Sequence, residues 1–350
     1  MVMLDRIERV VDCPVLDHNG KICRKGYHKH LNGGTYITGG EVEDIPLEEA
    51  IESIKDMFSE YNFASPADRL RAIAMLFTPA IAQGGLITGP FPIDPAEADQ
   101  SQSGKTYRHK VTAAVYNETL SPITRSKDGV GRGIDEAFAS CLLSGRPFIQ
   151  IDNYRGKVDS QLIEACITSE QAEVRVPYRG LTNVSTKGVS IMLTSNGVEL
   201  TSDLANRCCI IRIRYREGFK FKQYNEGDLL DHVQTNQGYY LGCVFAVLKA
   251  WTKDKKPTDY DNRHSFRKWS SALNWITREF FTDVEKAEPT RMLDGHAEIQ
   301  KRTSNPFEAI LRSVAIQLKE EDKLGDLFNA SELVDIVEGD KYYFGKRRCR

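Results

Sequence analysis

PFIQIDN at residues 147–153, VSIMLTSN at 189–196 and CCIIRIRY at 208–215 are three short apolar runs separated by polar, helix-forming sequence. Strands apolar on both faces bury both faces, and strands alternating with helices run parallel, so these runs specify an α/β sandwich with a mainly parallel central sheet. Working outward, the alternation covers about residues 86–215. The loop EADQSQSGKT (97–106) follows a weak, proline-broken strand, PFPID, and opens a helix at about 105–116. Further helices fall at about 134–143 and 159–167, and AEVRVPY (172–178) reads as another strand.

On the N-terminal side, six glycines between Gly20 and Gly40 mark tight turns, so the first 45 or so residues read as strands and hairpins. Leu47, Ile51, Ile54, Phe58 and Tyr61 recur at helical spacing, and Ser65-Pro66 supplies the cap and first-turn proline of a second helix, Ala67 to about Phe77. After about residue 225 the strand signal fades. GYYLGCVFAVLKAW (238–251), FRKWSSALNWITREFF (266–281), FEAILRSVAIQLKEE (307–321) and NASELVDIVEG (329–339) read as helices. The expected divisions are a turn-rich segment and helix at 1–60, an α/β core at 61–222, a helical domain at 223–303, and a partial winged-helix module at 304–350.

The 350 residues carry 47 Lys+Arg against 49 Asp+Glu, and this net charge of −2 excludes a polycationic coat or histone-like protein. No run approaches the ~20 apolar residues that cross a bilayer, and the N-terminus lacks a signal-peptide core, which predicts a cytoplasmic protein with no membrane partner. The eight cysteines are scattered without a Cys-x-x-Cys pair and read as reduced core residues. Cys13, Cys23, His28 and His30 offer zinc-type atoms. The short Cys-x₂₋₄-Cys knuckle is absent, however, and His-x-His is too close for the standard helical pair, so the spacing assigns no zinc site.

Three elements carry chemistry. Gly104-Lys105-Thr106 opens a helix after a flexible loop, which supplies the backbone amides, the lysine and the hydroxyl that hold ATP phosphates and Mg²⁺. The loop departs from the usual pattern, with Asp99 and Gln102 at positions that are commonly glycine; Gly-Lys-Thr also opens ordinary exposed helices. Asp152 ends the PFIQID strand, where a carboxylate can organise Mg²⁺ opposite such a loop or merely cap a turn. Asn153 stands where many ATPases place a catalytic Glu, leaving Glu136 as one substitute base. Asn196 ends the VSIMLTSN strand and could orient water. Arg207, eleven residues on, precedes the next strand, a setting in which arginines reach across a subunit boundary to stabilise phosphoryl transfer.

The stretch from RPFIQIDN to DLANRCCIIRIR resembles the ATPase core of phage- and plasmid-type primase–helicases. The likeness lies in the Asp152-Asn153 pair, the Thr194-x-Asn196 turn and the Asp203-Leu204-x-x-Arg207 box. It extends weakly through VLDHNGKICRKGYH and RKWSSALNWI, covering about residues 12–280. The resemblance implies an AAA+-like P-loop NTPase with a three-layer core, a small turn-rich N-terminal segment and a C-terminal helical or winged-helix region. It implies an ATP-hydrolysing helicase or translocase working as a homo-oligomeric ring on single-stranded or forked DNA, with low sequence specificity, in mobile-element replication. Lys105 and Thr106 fall on its phosphate-loop positions, Asp152 on the Mg²⁺ acid, Asn196 on the sensor and Arg207 on the finger. The larger N-terminal primase or zinc-binding section of such proteins has no counterpart here.

Ring helicases of this type place a basic hairpin facing DNA where Arg175, Arg179 and Lys187 lie; ordinary surface cations are the alternative. RIRYREGFKFK (Arg212, Arg214, Arg216, Lys220, Lys222) is a second basic stretch, and the terminal GKRRCR carries four cations. Ending in that basic run, the sequence reads as a truncated or separately encoded C-terminal half of a replication protein. Two rivals remain: a degenerate ATPase fold that binds DNA or protein with little turnover, suggested by Asp99, Gln102 and Asn153, and an ATPase that acts on a protein target.

Overall fold

The computed structural model describes residues 6–98, 100, 102–120, 122–123, 132–154, 156–176, 180–219, 221–282 and 289–305, with isolated positions at 311, 314, 315, 318, 329, 331 and 332. The N-terminal elements are β1 (Arg9–Val11), β2 (Val15–Leu16), β3 (Ile22–Cys23), β4 (Gly26–His28), β5 (Thr35–Ile37), α1 (Leu47–Met57) and α2 (Pro66–Gly84). Next come β6 (Asp94–Ala98), α3 (Lys105–Val115), β7 (Pro122–Ile123), α4 (Arg132–Leu143), β8 (Phe148–Ile151), β9 (Lys157–Val158) and α5 (Gln161–Thr168). The chain continues with β10 (Gln171–Val176), β11 (Gly180–Ser185), β12 (Ser190–Ser195), β13 (Glu199–Leu200), α6 (Ser202–Ala205) and β14 (Ile211–Ile213). Helices α7 (Leu229–Thr235), α8 (Gln237–Lys253), α9 (Arg267–Phe281) and α10 (His296–Ser304) close the described chain.

The centre is a five-stranded sheet in the order β14-β6-β12-β8-β7, every neighbouring pair parallel. In β12 all six residues are buried, and their alternation feeds two layers: Met192 joins a cluster with α2, α3, α8 and α9, while Ile191 and Leu193 join one with α4, α5 and α6. Burial on both sides is why this strand reads as a continuous apolar run. The mixed α/β architecture with a parallel sheet thus follows the sequence. The antiparallel β2–β3 hairpin and the β1-β5-β4 sheet form the turn-rich N-terminal part.

Three sequence expectations are corrected. The strand before the phosphate loop is Asp94–Ala98, not PFPID, and all five residues are buried although two are acids. Asp94 is matched there by Arg108 in α3, Nη1 to Oδ2 at 3.0 Å and Nη2 to Oδ1 at 2.5 Å, which makes a charged strand tolerable inside. Helix α2 runs to Gly84, past Pro79, rather than stopping near Phe77. Proline disrupts the helical ladder around it. The Tyr116 hydroxyl repairs the gap, accepting from Ala80 N at 3.3 Å and donating to Leu76 O at 2.5 Å. AEVRVPY contributes β10 to an antiparallel hairpin with β11 and not to the parallel sheet.

Among the described residues no helix is long and apolar enough to cross a membrane. Seven cysteines there are free thiols, six of them buried. The two helices expected at 307–321 and 329–339, the winged-helix module at 304–350 and the GKRRCR end lie almost wholly outside the described residues.

Candidate functional site

Parallel strands deliver their chain to one edge, and ligands gather at the carboxyl ends where successive connections diverge to opposite sides. Here β6 leaves that edge through loop 99–104 into α3, whose connection crosses over β12 and β8 to β7, while β14 lies on the other flank of β6. Asp152 follows the last residue of β8 and Asn196 the last of β12. Gly104, Lys105, Thr106, Asp152 and Asn196 therefore converge on one edge from three separate parts of the sequence.

Their contacts are specific. Lys105 Nζ donates to Asn196 Oδ1 at 2.6 Å and to the Gln100 carbonyl at 3.3 Å, so the ammonium is held over the loop with its stem buried. Thr106 Oγ1 donates to Asp152 Oδ1 at 2.9 Å, and Thr194 Oγ1 donates to the same oxygen at 2.7 Å. Thr194 Oγ1 in turn accepts the Asn153 amide at 2.7 Å. Asn153 adopts φ +49°, a left-handed conformation that asparagine tolerates better than glutamate, which gives its presence a local structural reason. Its side chain is exposed, as is that of Glu136 on α4.

The loop turns through Gln102 at φ +61° and Gly104 at φ +93°. At Gly104 the left-handed turn itself favours glycine, and a Cβ would lie 3.6 Å from the Tyr61 ring. At Gln102 the positive φ is a conformation that a side-chain-bearing residue adopts at a cost. Ser103 Oγ is buried without a partner beside it, an orphan polar atom of the kind an anion's oxygens would satisfy. Lysine, loop amides, this hydroxyl and the Thr106–Asp152 pair together match the donor set that a nucleoside triphosphate with Mg²⁺ requires.

Arg207 is not brought to this edge. Its carbonyl accepts from Ile93 N at 3.2 Å, ahead of the first residue of β6, which places it at the amino edge of the sheet, roughly 15 Å away by strand rise. Its guanidinium pairs with Asp203 at 2.5 Å and is 24% exposed. In the hairpin, Arg175 is exposed and lies opposite Leu181, next to the tip. Lys187 lies at the other end, paired with Glu170 at 2.7 Å, and Arg179 is outside the described residues. Of the second basic stretch, Arg212 pairs with buried Asp68 and Lys222 with Asp56, Arg216 lies over the Phe219 ring, and Lys220 is outside the described residues.

Sequence reasoning missed several supporting residues. Thr194 was seen only as part of a turn, yet its hydroxyl links Asp152 to the Asn153 backbone. Glu97, beside Ser195 across the β6–β12 register, pairs with Arg302 of α10 and accepts from Val198 N at 3.3 Å. The Asp94–Arg108 pair was hidden because buried acids interrupt the apolar pattern that marks a strand; an arginine four residues after Gly104 was the one available signal.

No family model matches the chain, and no curated protein matches it. Solved structures do. The C-terminal region of NrS-1 is similar at a TM-score of 0.42 and 10% identity, over 87% of this chain and 68% of that one. The SCCmec type IV Cch active helicase is similar at 0.39 and 13%, over 96% and 72%. A candidate ATPase from Cytophaga hutchinsonii is similar at 0.34 and 11%, over 83% and 85%. At such scores the side chains gathered at the sheet edge, and not the likeness, support a functional conclusion.

Proposed function

We propose that the chain is an AAA+-type P-loop ATPase that couples ATP hydrolysis to movement along single-stranded or forked DNA, acting as a homo-oligomeric ring in the replication of a phage or other mobile element. The observation that carries this reading is the paired contact at the sheet edge: Lys105 Nζ with Asn196, and Thr106 with Asp152, at 2.6 and 2.9 Å. Four residue types in the order lysine, threonine, aspartate, asparagine meet at the place where a parallel sheet binds nucleotides.

In that mechanism the loop amides around Gly104 and the Lys105 ammonium bind the β- and γ-phosphates. Thr106 and Asp152 would hold Mg²⁺, which neutralises charge on the phosphate oxygens when bound. Thr194 keeps the Asp152 carboxylate turned toward Thr106 through its 2.7 Å hydrogen bond. Asn196, already in contact with Lys105, orients the attacking water. Arg207, on the far edge and partly exposed, acts on the nucleotide of a neighbouring subunit, where its charge offsets that of the transferring phosphoryl group. Arg175 tracks DNA phosphates without reading bases.

Phosphate release measured with and without single-stranded DNA, beside sizing with nucleotide, tests the proposal. Stimulated turnover with a nucleotide-dependent assembly is expected. Turnover without stimulation would favour a protein target. Absence of both binding and turnover would favour the degenerate module that Asp99, Gln102 and Asn153 suggest.

A further inference from the structure

The turn-rich N-terminal segment has little apolar material of its own: Val11, Val15, Cys23, Leu31 and Ile37 make up its separate cluster. Small segments of this kind are commonly held by a disulfide or a metal ion. Here one ligand atom from each of Cys23, His28 and His30 lies within 4.8 Å of the others. We propose that Cys23, His28 and His30 are three ligands of a structural zinc site that fastens the β2–β3 hairpin to the turn after β4.

The geometry suits that ion. Zinc bonds of about 2.3 Å to sulfur and about 2.0–2.1 Å to nitrogen at the tetrahedral angle set the S···N edge at about 3.5–3.6 Å. Cys23 Sγ and His30 Nε2 are 3.6 Å apart. Asp17 Oδ1 accepts the Asn19 and Lys21 amides, each at 2.9 Å, so the carboxylate is fixed by the hairpin turn. Its Oδ2 lies 3.8 Å from the same His30 nitrogen but outside the 4.8 Å group of the three ligand atoms, so Asp17 adjoins the site as a partner of His30. His28 Nε2 lies 2.7 Å from the Arg24 carbonyl, and donating a proton there leaves Nδ1 with the lone pair. An outer hydrogen bond from imidazole to a carbonyl is the usual way a metal-bound histidine is oriented.

The objection raised by the spacing falls away because the two histidines are not on a helix. His28 ends β4 and His30 sits in the following turn, so a single intervening residue brings both rings to the hairpin. Cys13, the second cysteine of the sequence pattern, belongs instead to the large core cluster with α1 and α2. Binding converts the Cys23 thiol to a thiolate, with its proton released to water and no electron transferred.

The test uses the untagged full chain, dialysed against metal-free buffer, with zinc measured by atomic emission and Co²⁺ as the spectroscopic replacement. The expected result is about one zinc per chain and a thiolate-to-cobalt charge-transfer band in the near ultraviolet. Cys23→Ser should lose the band and most of the zinc, and Cys13→Ser should keep both. His30→Gln changes a half-exposed side chain, so it reads metal loss without threatening the core. A chain that retains no zinc and gives no cobalt band overturns the site, as do Cys23→Ser and His30→Gln proteins that hold as much metal as the unaltered chain.

Discussion

Arg108→Ala tests what fixes the phosphate loop in place. Asp94 begins the strand that enters the loop and Arg108 lies in the first turn of the helix that leaves it, so their two-pronged pair ties the loop's entry to its exit. Their side chains are 2% and 0% exposed, out of reach of solvent screening. Burial by itself would raise the Asp94 carboxyl; the Arg108 guanidinium overcomes that and holds it at about 2. Against an unfolded value near 3.9, a folded carboxyl at about 2 contributes roughly 2–3 kcal/mol, fully present above pH ~4 and lost as pH falls toward 2. Removing the arginine leaves the buried carboxylate with only the His109 ring, 3.6 Å from Oδ1, a change that costs up to about 3–5 kcal/mol. It also reverses the sign of the pH dependence. Without Arg108 the Asp94 carboxyl is raised, the folded state binds the extra proton, and stability falls as pH rises above ~4, by at most about 1.4 kcal/mol per pH unit. Equilibrium urea unfolding of the variant and the unaltered protein, compared from pH 4 to 7, reads both effects. An Asp94→Leu/Arg108→Met double variant should recover most of the loss. A single-variant cost under about 1 kcal/mol, with a difference curve flat in pH, would refute the reasoning.

Other outcomes follow from the same contacts. Tyr116→Phe removes the hydroxyl that bridges Ala80 N and Leu76 O at Pro79, and should lower stability by about 1–3 kcal/mol with an unchanged urea m-value. Arg207→Ala mixed with unaltered chains should depress phosphate release more steeply than in proportion to its fraction; a linear decline would place the arginine's action within its own subunit. Arg175→Ala should weaken single-stranded DNA binding evenly across sequences and lower the salt slope by about 0.7, as read from anisotropy titrations at several salt concentrations.

The sequence carried the sheet and much of its edge because the relevant strands are apolar on both faces and end in polar residues. PFIQID and VSIMLTSN became β8 and β12, and Lys105, Thr106, Asp152 and Asn196 come within reach of one another at their ends. It failed where tertiary partners override local pattern. DPAEA has no strand signature, since Asp94 and Glu97 are stabilised by Arg108 and Arg302 from elsewhere in the chain. The second helix was expected to stop near Phe77 and runs past Pro79 because the repairing hydroxyl belongs to Tyr116, on another helix's boundary.

Lys105→Ala bears most directly on the central claim, because this side chain links the loop to Asn196 at the carboxyl edge of the sheet. The measurement is steady-state phosphate release by the purified variant with Mg²⁺, ATP and saturating single-stranded DNA, beside the unaltered protein. The account predicts a loss of at least about a hundredfold, in line with removing a charged group that binds the transferring phosphoryl. DNA-stimulated release at the unaltered rate would contradict it.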